Sequence, residues 1–336
     1  MIHLARRPVR LRPSGLFAAS LAALAALAPA PAGAVAFSQF TSTNTGGDNS
    51  PSYNRDGSAI YYASRVTGFQ YIYWKASGAP MSQVGSRVST QIDWDESNPT
   101  LSPDNTQVAY AVQDSAAGAL AIHHLWRSPA GGTMTQTKLT YGPADDQMPD
   151  WWGAPGNEWI AFTSNRGGSG YQIWVMRPNG TQKQQVTPTG SSLDLDASFS
   201  PDGQQIVLSS NRAGTTELYT VSRSGSGWGS PVQVTFGGNA KAKPAWSPNG
   251  LHWAYQEYSG GTGGTSLWVM DTSGPANPRE VTSMGSYAGD PAWSPGTDRI
   301  AFASDSTGHT YIWVADAITT PTLPVSWGHV KDRYRR

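Results

Sequence analysis

At 336 residues, with 37 Gly, 24 Pro and 14 Trp and only 14% charged, the chain suits a large all-β domain with many tight turns. Its aromatic content excludes a disordered chain, and the lack of cysteine excludes disulfides, thiolate chemistry and a cysteine-borne lipid anchor. A formal net charge of zero leaves no basic excess for a nucleic-acid surface.

Residues 1–36 read as a secretory signal peptide. Arg6, Arg7, Arg10 and Arg12 form a basic start and Leu16 to Ala28 an apolar run. Ala32-Gly33-Ala34-Val35-Ala36 offers small-residue cleavage positions after Ala34 or Ala36. The run is short for a bilayer span; an uncleaved anchor is the alternative. The residues after Arg6-Arg7 fit a twin-arginine signal poorly. Cleavage removes four Arg and no acid, leaving 19 basic against 23 acidic residues. The mature chain is expected to be exported to the periplasm, with no nucleic-acid partner.

From residue 51 onward one pattern recurs six times, beginning at Pro51, Pro99, Pro149, Ala197, Pro244 and Pro291, at intervals of 48, 50, 48, 47 and 47 residues. A tight turn follows each start. Ser200-Pro201-Asp202-Gly203 is the cleanest, with Ser102-Pro103-Asp104-Asn105 and Ser247-Pro248-Asn249-Gly250 close to it. Proline presets φ and Gly or Asn accepts the positive φ at the exit. Asn54-Arg55-Asp56-Gly57 and Ser294-Pro295-Gly296-Thr297 are weaker copies, and Gly153 to Asn157 carries an insertion. Alternating strands follow, such as Ile206-Val207-Leu208 and Glu217–Val221, then a short fourth strand such as Gln233-Val234-Thr235. Four strands per unit of about 48 residues predict an all-β, six-bladed β-propeller of four-stranded antiparallel blades over residues 37–326, with a basic tail at 327–336. Phe37 to Thr41 resembles a stray fourth strand and is expected to close the ring as the outer strand of the last blade, with residues 320–328 as its rival.

Pro244-Ala245-Trp246-Ser247-Pro248-Asn249-Gly250 and Ser198-Phe199-Ser200-Pro201-Asp202-Gly203 resemble the TolB-type propeller repeat, as do Ser164-Asn165-Arg166 and Ser210-Asn211-Arg212. The resemblance covers roughly residues 37–325. It implies the fold strongly and function weakly, because such propellers serve binding proteins, lyases and peptidase gates. TolB-family proteins are periplasmic and engage a lipoprotein near the channel mouth, which implies protein binding there. The family has an α/β domain before its propeller, and here the repeat follows the leader directly, so an accessory subunit of an envelope or membrane complex is the expected role.

Three residues before the repeat start stand Asp48, Glu96, Asp146 and Asp194, then Lys241 with Lys243 beside it; in the sixth copy the acid has moved to Asp290. Radial repetition predicts a ring of carboxylates with one basic sector around the opening where outer strands lead into inner ones. The acids either hold turn amides locally or make a negative mouth that attracts a basic protein segment or a cation. Asp150, on the inner strand where its counterparts are small, is a candidate channel carboxylate. The large apolar residues after that position (Trp151, Phe199, Trp246, Trp293) read as packing between blades, and Trp94 and Trp152, off that pattern, as candidate ligand-stacking groups.

Catalysis finds little support. His123, His124, His252, His309 and His329 fall on different units, and neighbours on a strand point to opposite faces, which disfavours one metal held by His123 and His124. Related lyases use clustered histidines and a metal. The expected function is a non-enzymatic scaffold with no cofactor, binding a periplasmic or membrane-associated protein. The alternative is a carbohydrate-active or metal-dependent enzyme using the mouth carboxylates. The tail Lys331-Asp332-Arg333-Tyr334-Arg335-Arg336 offers peripheral contact with an anionic membrane.

Overall fold

A computed structural model describes residues 35–42, 46–89, 94–114, 122–132, 135–258, 264–273, 278–282 and 287–316. All but the last two residues of the expected leader lie outside these, as do the rival closing segment at 320–328, His329 and the basic tail. Among the described residues there is no helix. The strands form six antiparallel sheets, each a blade built outward from an inner strand. The inner strands are Asp48–Tyr53, Glu96–Leu101, Asp146–Ala154, Asp194–Phe199, Lys241–Trp246 and Ala288–Trp293, for blades 1 to 6 in order. Each packs beside the next, and the first beside the sixth, so the sheets close into a ring. The protein is a six-bladed β-propeller.

Closure uses the N-terminal strand. Ala36–Gln39 pairs antiparallel with Tyr311–Asp316, with Ala36 opposite Asp316 and Gln39 opposite Trp313, and becomes the outer strand of blade 6. The end of this strand shows why the sequence recognises it as a fourth strand. Phe40 N–H donates to the Ile312 carbonyl at 2.7 Å, and Ile312 N–H donates to Thr41 Oγ1 at 3.0 Å. The same pair of bonds ends blade 2 at Leu139-Thr140, blade 3 at Val186-Thr187 and blade 4 at Val234-Thr235. In each, the threonine hydroxyl takes over a backbone donor where the outer strand peels away, so no buried amide is left unmet. This also explains why the outer strands are short, as in Gln184–Gln185 and Val232–Gln233.

The core lies between blades. Ile206, Val207 and Leu208 are fully buried, as are Ile160, Ala161 and Phe162, in alternation across the two faces of each sheet. The large residue of each inner strand, such as Trp151 or Phe199, fills the seam to a neighbouring blade. Blade 4 carries an additional hairpin, Gly227–Trp228, folded back onto its third strand at Arg223 and Ser224.

One irregularity positions the channel. Every inner strand is bulged, between Asn49 and Ser52, Ser97 and Thr100, Gln147 and Asp150, Leu195 and Ser198, Ala242 and Ala245, and Gly289 and Ala292. Within each bulge, the residue just before the repeat start has φ between 50 and 56°: Ser50, Asn98, Met148, Asp196, Lys243 and Asp290. A left-handed non-glycine residue is uncommon, and a residue before proline is normally extended. Six copies at one depth are a built feature of the fold.

Candidate functional site

The bulge divides the predicted carboxylate ring. Asp48, Glu96, Asp146, Asp194 and Lys241, at the start of the inner strands, are all buried. Asp146 receives both bonds of a bidentate pair from Arg166 at 2.6 Å, and Asp194 from Arg212 at 2.7 Å. The Ser-Asn-Arg tripeptides therefore serve as internal clamps: arginine grips the acid of its own blade, and Asn165 and Asn211 accept from the Asp145 and Leu193 amides. Lys241 reaches Glu217 at 3.3 Å, which also accepts from Thr235. Asp48 sits opposite Ser64 in the ladder. Glu96 accepts from Ile72 N–H at 3.0 Å and from the Ser89 hydroxyl, bridging blades 1 and 2. Burial pushes its carboxyl up to about 7, against the opposing pull of these bonds and of Arg87. Glu96 and Lys241 bridge neighbouring blades, Asp146 and Asp194 are held within their own, and none of the five lines the central cavity.

The central cavity, of about 530 Å³, is lined instead by the left-handed residues and the inner-strand positions after them. It runs from Ser50, Asn98, Met148, Asp196, Lys243 and Asp290 to the hairpin turns at Arg55, Pro103, Pro201, Pro248 and Pro295. It therefore lies toward the turns between first and second strands. Of the eight predicted site residues, it brings together Asp150, Lys243 and Asp290, and adds Asp196 and Arg55.

The left-handed residues are tied around the channel. Lys243 Nζ lies 3.4 Å from both Asp196 and Asp290 carboxylates. Burial alone would lower the Lys243 ammonium, but the two carboxylates outweigh it and hold the pKa well above the ordinary lysine value. Asp290 Oδ2 also accepts from Ser50 N–H and the Tyr287 hydroxyl, and Asn98 Nδ2 donates to Ser50 Oγ. One layer nearer the turns, a second set of bonds crosses the seams. Trp151 N–H donates to Thr100 Oγ1 at 3.0 Å, Phe199 N–H to Asp150 Oδ2 at 2.7 Å, and Trp246 N–H to Ser198 Oγ at 3.3 Å. Asp150 thus does with a carboxylate what its neighbours do with hydroxyls. Burial raises its pKa, and the Arg55 charge partly opposes this. Arg55 reaches in from the blade 1 turn and donates to the Leu101 and Trp151 carbonyls.

Trp94 packs between strands, and Trp152 packs on its neighbours while also lining the cavity. Trp152 Nε1 donates to the Pro201 carbonyl at 2.9 Å and its ring meets Phe199 at 5.5 Å; Trp94 packs on Trp126 at 6.3 Å. His123 pairs with Asp145, His252 with Asp271, and His309 with the Tyr311 ring, each at a separate place. Among the described residues no three His, Asp or Glu side chains are grouped as metal ligands.

No protein-family profile matches the chain. A TolB homologue of Chlorobium luteolum is 29% identical over 164 residues, 48% of this chain and 34% of that protein, so the match spans about a third of the relative's length. Among solved structures, TolB from Acinetobacter baumannii superposes with a TM-score of 0.60 at 21% identity over 74% of this chain and 57% of that one. A putative TolB from Agrobacterium tumefaciens gives 0.58 at 18% over 80% and 89%. An oligogalacturonate lyase in complex with manganese gives 0.52 at 13% over 84% and 96%, so the architecture is shared with an enzyme. With six four-stranded blades in a closed ring and TolB proteins among both its sequence and its structural relatives, the chain is a TolB-like six-bladed β-propeller.

Proposed function

We propose that this propeller is an exported, non-enzymatic scaffold that binds a segment of a periplasmic or membrane-associated protein at the turn-side end of its channel. The observation that carries the reading is the employment of the channel's polar groups. Asp150, Asp196, Lys243 and Asp290 are engaged across blade seams, and together they shape a cavity more than they supply a reacting group. The rim adds prolines and the indoles of Trp152 and Trp246, rigid apolar surface of the kind protein partners use. Arg55 and Asp150 supply the charged pair that a bound segment meets. The likeness to TolB proteins supports a periplasmic setting and an accessory role in an envelope complex. No cofactor enters this reading.

Affinity capture from native envelopes, with a photo-cross-linker at Pro248, tests it. The wild-type chain should capture a defined partner, and the pair Arg55→Gln with Asp150→Asn should lower the yield at least fivefold. Undiminished capture by a folded pair variant would sink the channel reading. The enzyme alternative draws on the lyase likeness. Turnover of oligogalacturonate with added manganese, abolished by Asp150→Asn, would replace the scaffold reading with it.

A further inference from the structure

A second charged feature lies at the seam of blades 3 and 4, beside the channel rim. Arg177 follows the third strand of blade 3 and places its guanidinium 4.0 Å from the centre of the Trp159 ring. Arg223, from blade 4, lies 6.0 Å from the same ring and 4.5 Å from Trp228. Their guanidinium carbons are therefore no more than about 10 Å apart, the sum of the two distances to one indole. The additional hairpin of blade 4 supplies Trp228.

Among the described residues neither guanidinium meets a carboxylate. Arg177 donates to Gln182 Oε1, Asn157 Oδ1 and the Glu158 carbonyl, and Arg223 to the Gly203 carbonyl, all neutral oxygens. Four other arginines hold acids, Arg65 with Asp95, Arg166 with Asp146, Arg212 with Asp194 and Arg299 with Asp316, whereas Arg55 rests on carbonyls. Burial, and then the like charge of Arg177, both disfavour the protonated form of Arg223. They are two neighbouring cations, packed on indole rings and partly exposed, whose acceptors among the described residues are neutral oxygens.

We infer that Arg177 and Arg223 bind the carboxylates of an acidic peptide segment. The planar guanidinium fork matches a carboxylate, and clusters of arginine are a recurrent means of reading acidic motifs. Position also fits. The Gly203 carbonyl that anchors Arg223 lies in the Ser200–Gly203 turn, whose Pro201 lines the channel and holds Trp152. A segment leaving the channel over Trp152 and Pro201 runs onto the two arginines. The inference rests on the protein-binding reading for its biological partner, and the site itself can be tested alone.

Dye-labelled hexaglutamate, titrated at low ionic strength into the purified full-length chain and followed by anisotropy, tests it. The double variant R177Q/R223Q should weaken binding at least tenfold, and R177K/R223K, which keeps charge but loses the planar fork, at least threefold. If R177Q/R223Q melts early, the lysine pair decides the matter. Binding within twofold of wild type in the folded variants, or equal binding of neutral hexaglutamine, overturns the site. Inorganic phosphate binding more tightly than the peptide at the same arginines assigns a free oxyanion instead and also overturns it. In partner capture the two readings separate. Loss only in the Arg55 and Asp150 variants removes this inference and leaves the channel, whereas loss only in R177Q/R223Q does the reverse.

Discussion

At the scale of the residue, burial decides what each acid can do. Glu96 is regularly spaced with Asp48, Asp146 and Asp194, and the spacing is legible in the sequence. The direction of the side chains is not, because each strand inserts one bulged residue between these acids and the repeat start. Counting by twos fails across that insertion. The bulge brings Asp196 into register with Lys243 and Asp290, an equivalence visible in the sequence only once the residue before the repeat start is compared blade by blade. Arg55 has one faint signal, its place in a turn where Pro103, Pro201, Pro248 and Pro295 stand in other blades. Glu96 gives a direct test. Its folded-state pKa of about 7 lies above the ordinary glutamate value of 4.5, so between the two the folded chain retains a proton that the unfolded chain has lost. Stability therefore falls as pH rises from about 4.5 to about 7, and Glu96→Gln removes that fall. The variant should be roughly 1–3 kcal/mol more stable than wild type at pH 8 and indistinguishable from it at pH 4, by urea unfolding at the two pH values.

At the scale of the element, the strands were legible because turn chemistry and alternation agree. The Ser-Pro-Asp-Gly turn of blade 4 shows why. Ser200 Oγ accepts from Gln205 N–H at 2.9 Å, Asp202 Oδ1 accepts from Gln204 N–H at 3.0 Å, and Gly203 takes φ of +66°. The glycine has a second reason that no local pattern reveals: a Cβ there would stand 2.1 Å from the Trp152 ring. Gly203→Ala must both strain the backbone and displace the indole, for a loss of about 2–4 kcal/mol. Gly296→Ala, with φ of +68° and open space around it, should cost only about 1–2 kcal/mol. Thermal melts of the two variants make the comparison. Equal losses would mean that Trp152 does not press on the blade 4 turn.

At the scale of the whole molecule, closure is the decisive event. The six repeats announced a ring, and the stray strand at Phe37 showed how it could close; the tight bonds of Phe40 and Thr41 to Ile312 give the closing strand its register. Lys75 reinforces the junction, donating to the Phe40 carbonyl at 2.7 Å from a buried position in blade 1. Thr41→Val leaves the Ile312 amide without its acceptor and should cost about 1–3 kcal/mol. Because a closed ring has no free end from which to fray, that loss should lower the midpoint of one cooperative transition. Calorimetry showing a separate early transition for blade 6 would mean that closure is dispensable.

The two layers of bonds around the channel are unlike in kind. Between blades 1 and 2 and between 2 and 3 the bonds nearest the bulges are neutral, an amide on Ser50 and the Thr100 hydroxyl, with the Arg55 guanidinium reaching across to the Leu101 and Trp151 carbonyls at the turns. From blade 3 round to blade 1 they include Asp150, Asp196, Lys243 and Asp290. A charged guest in the channel therefore competes with the clasp on one side of the ring and leaves the other side fastened. Occupancy would be felt as a lopsided loosening, strongest where carboxylates and lysine fasten blades 4, 5 and 6, and a symmetric fold would give an asymmetric answer.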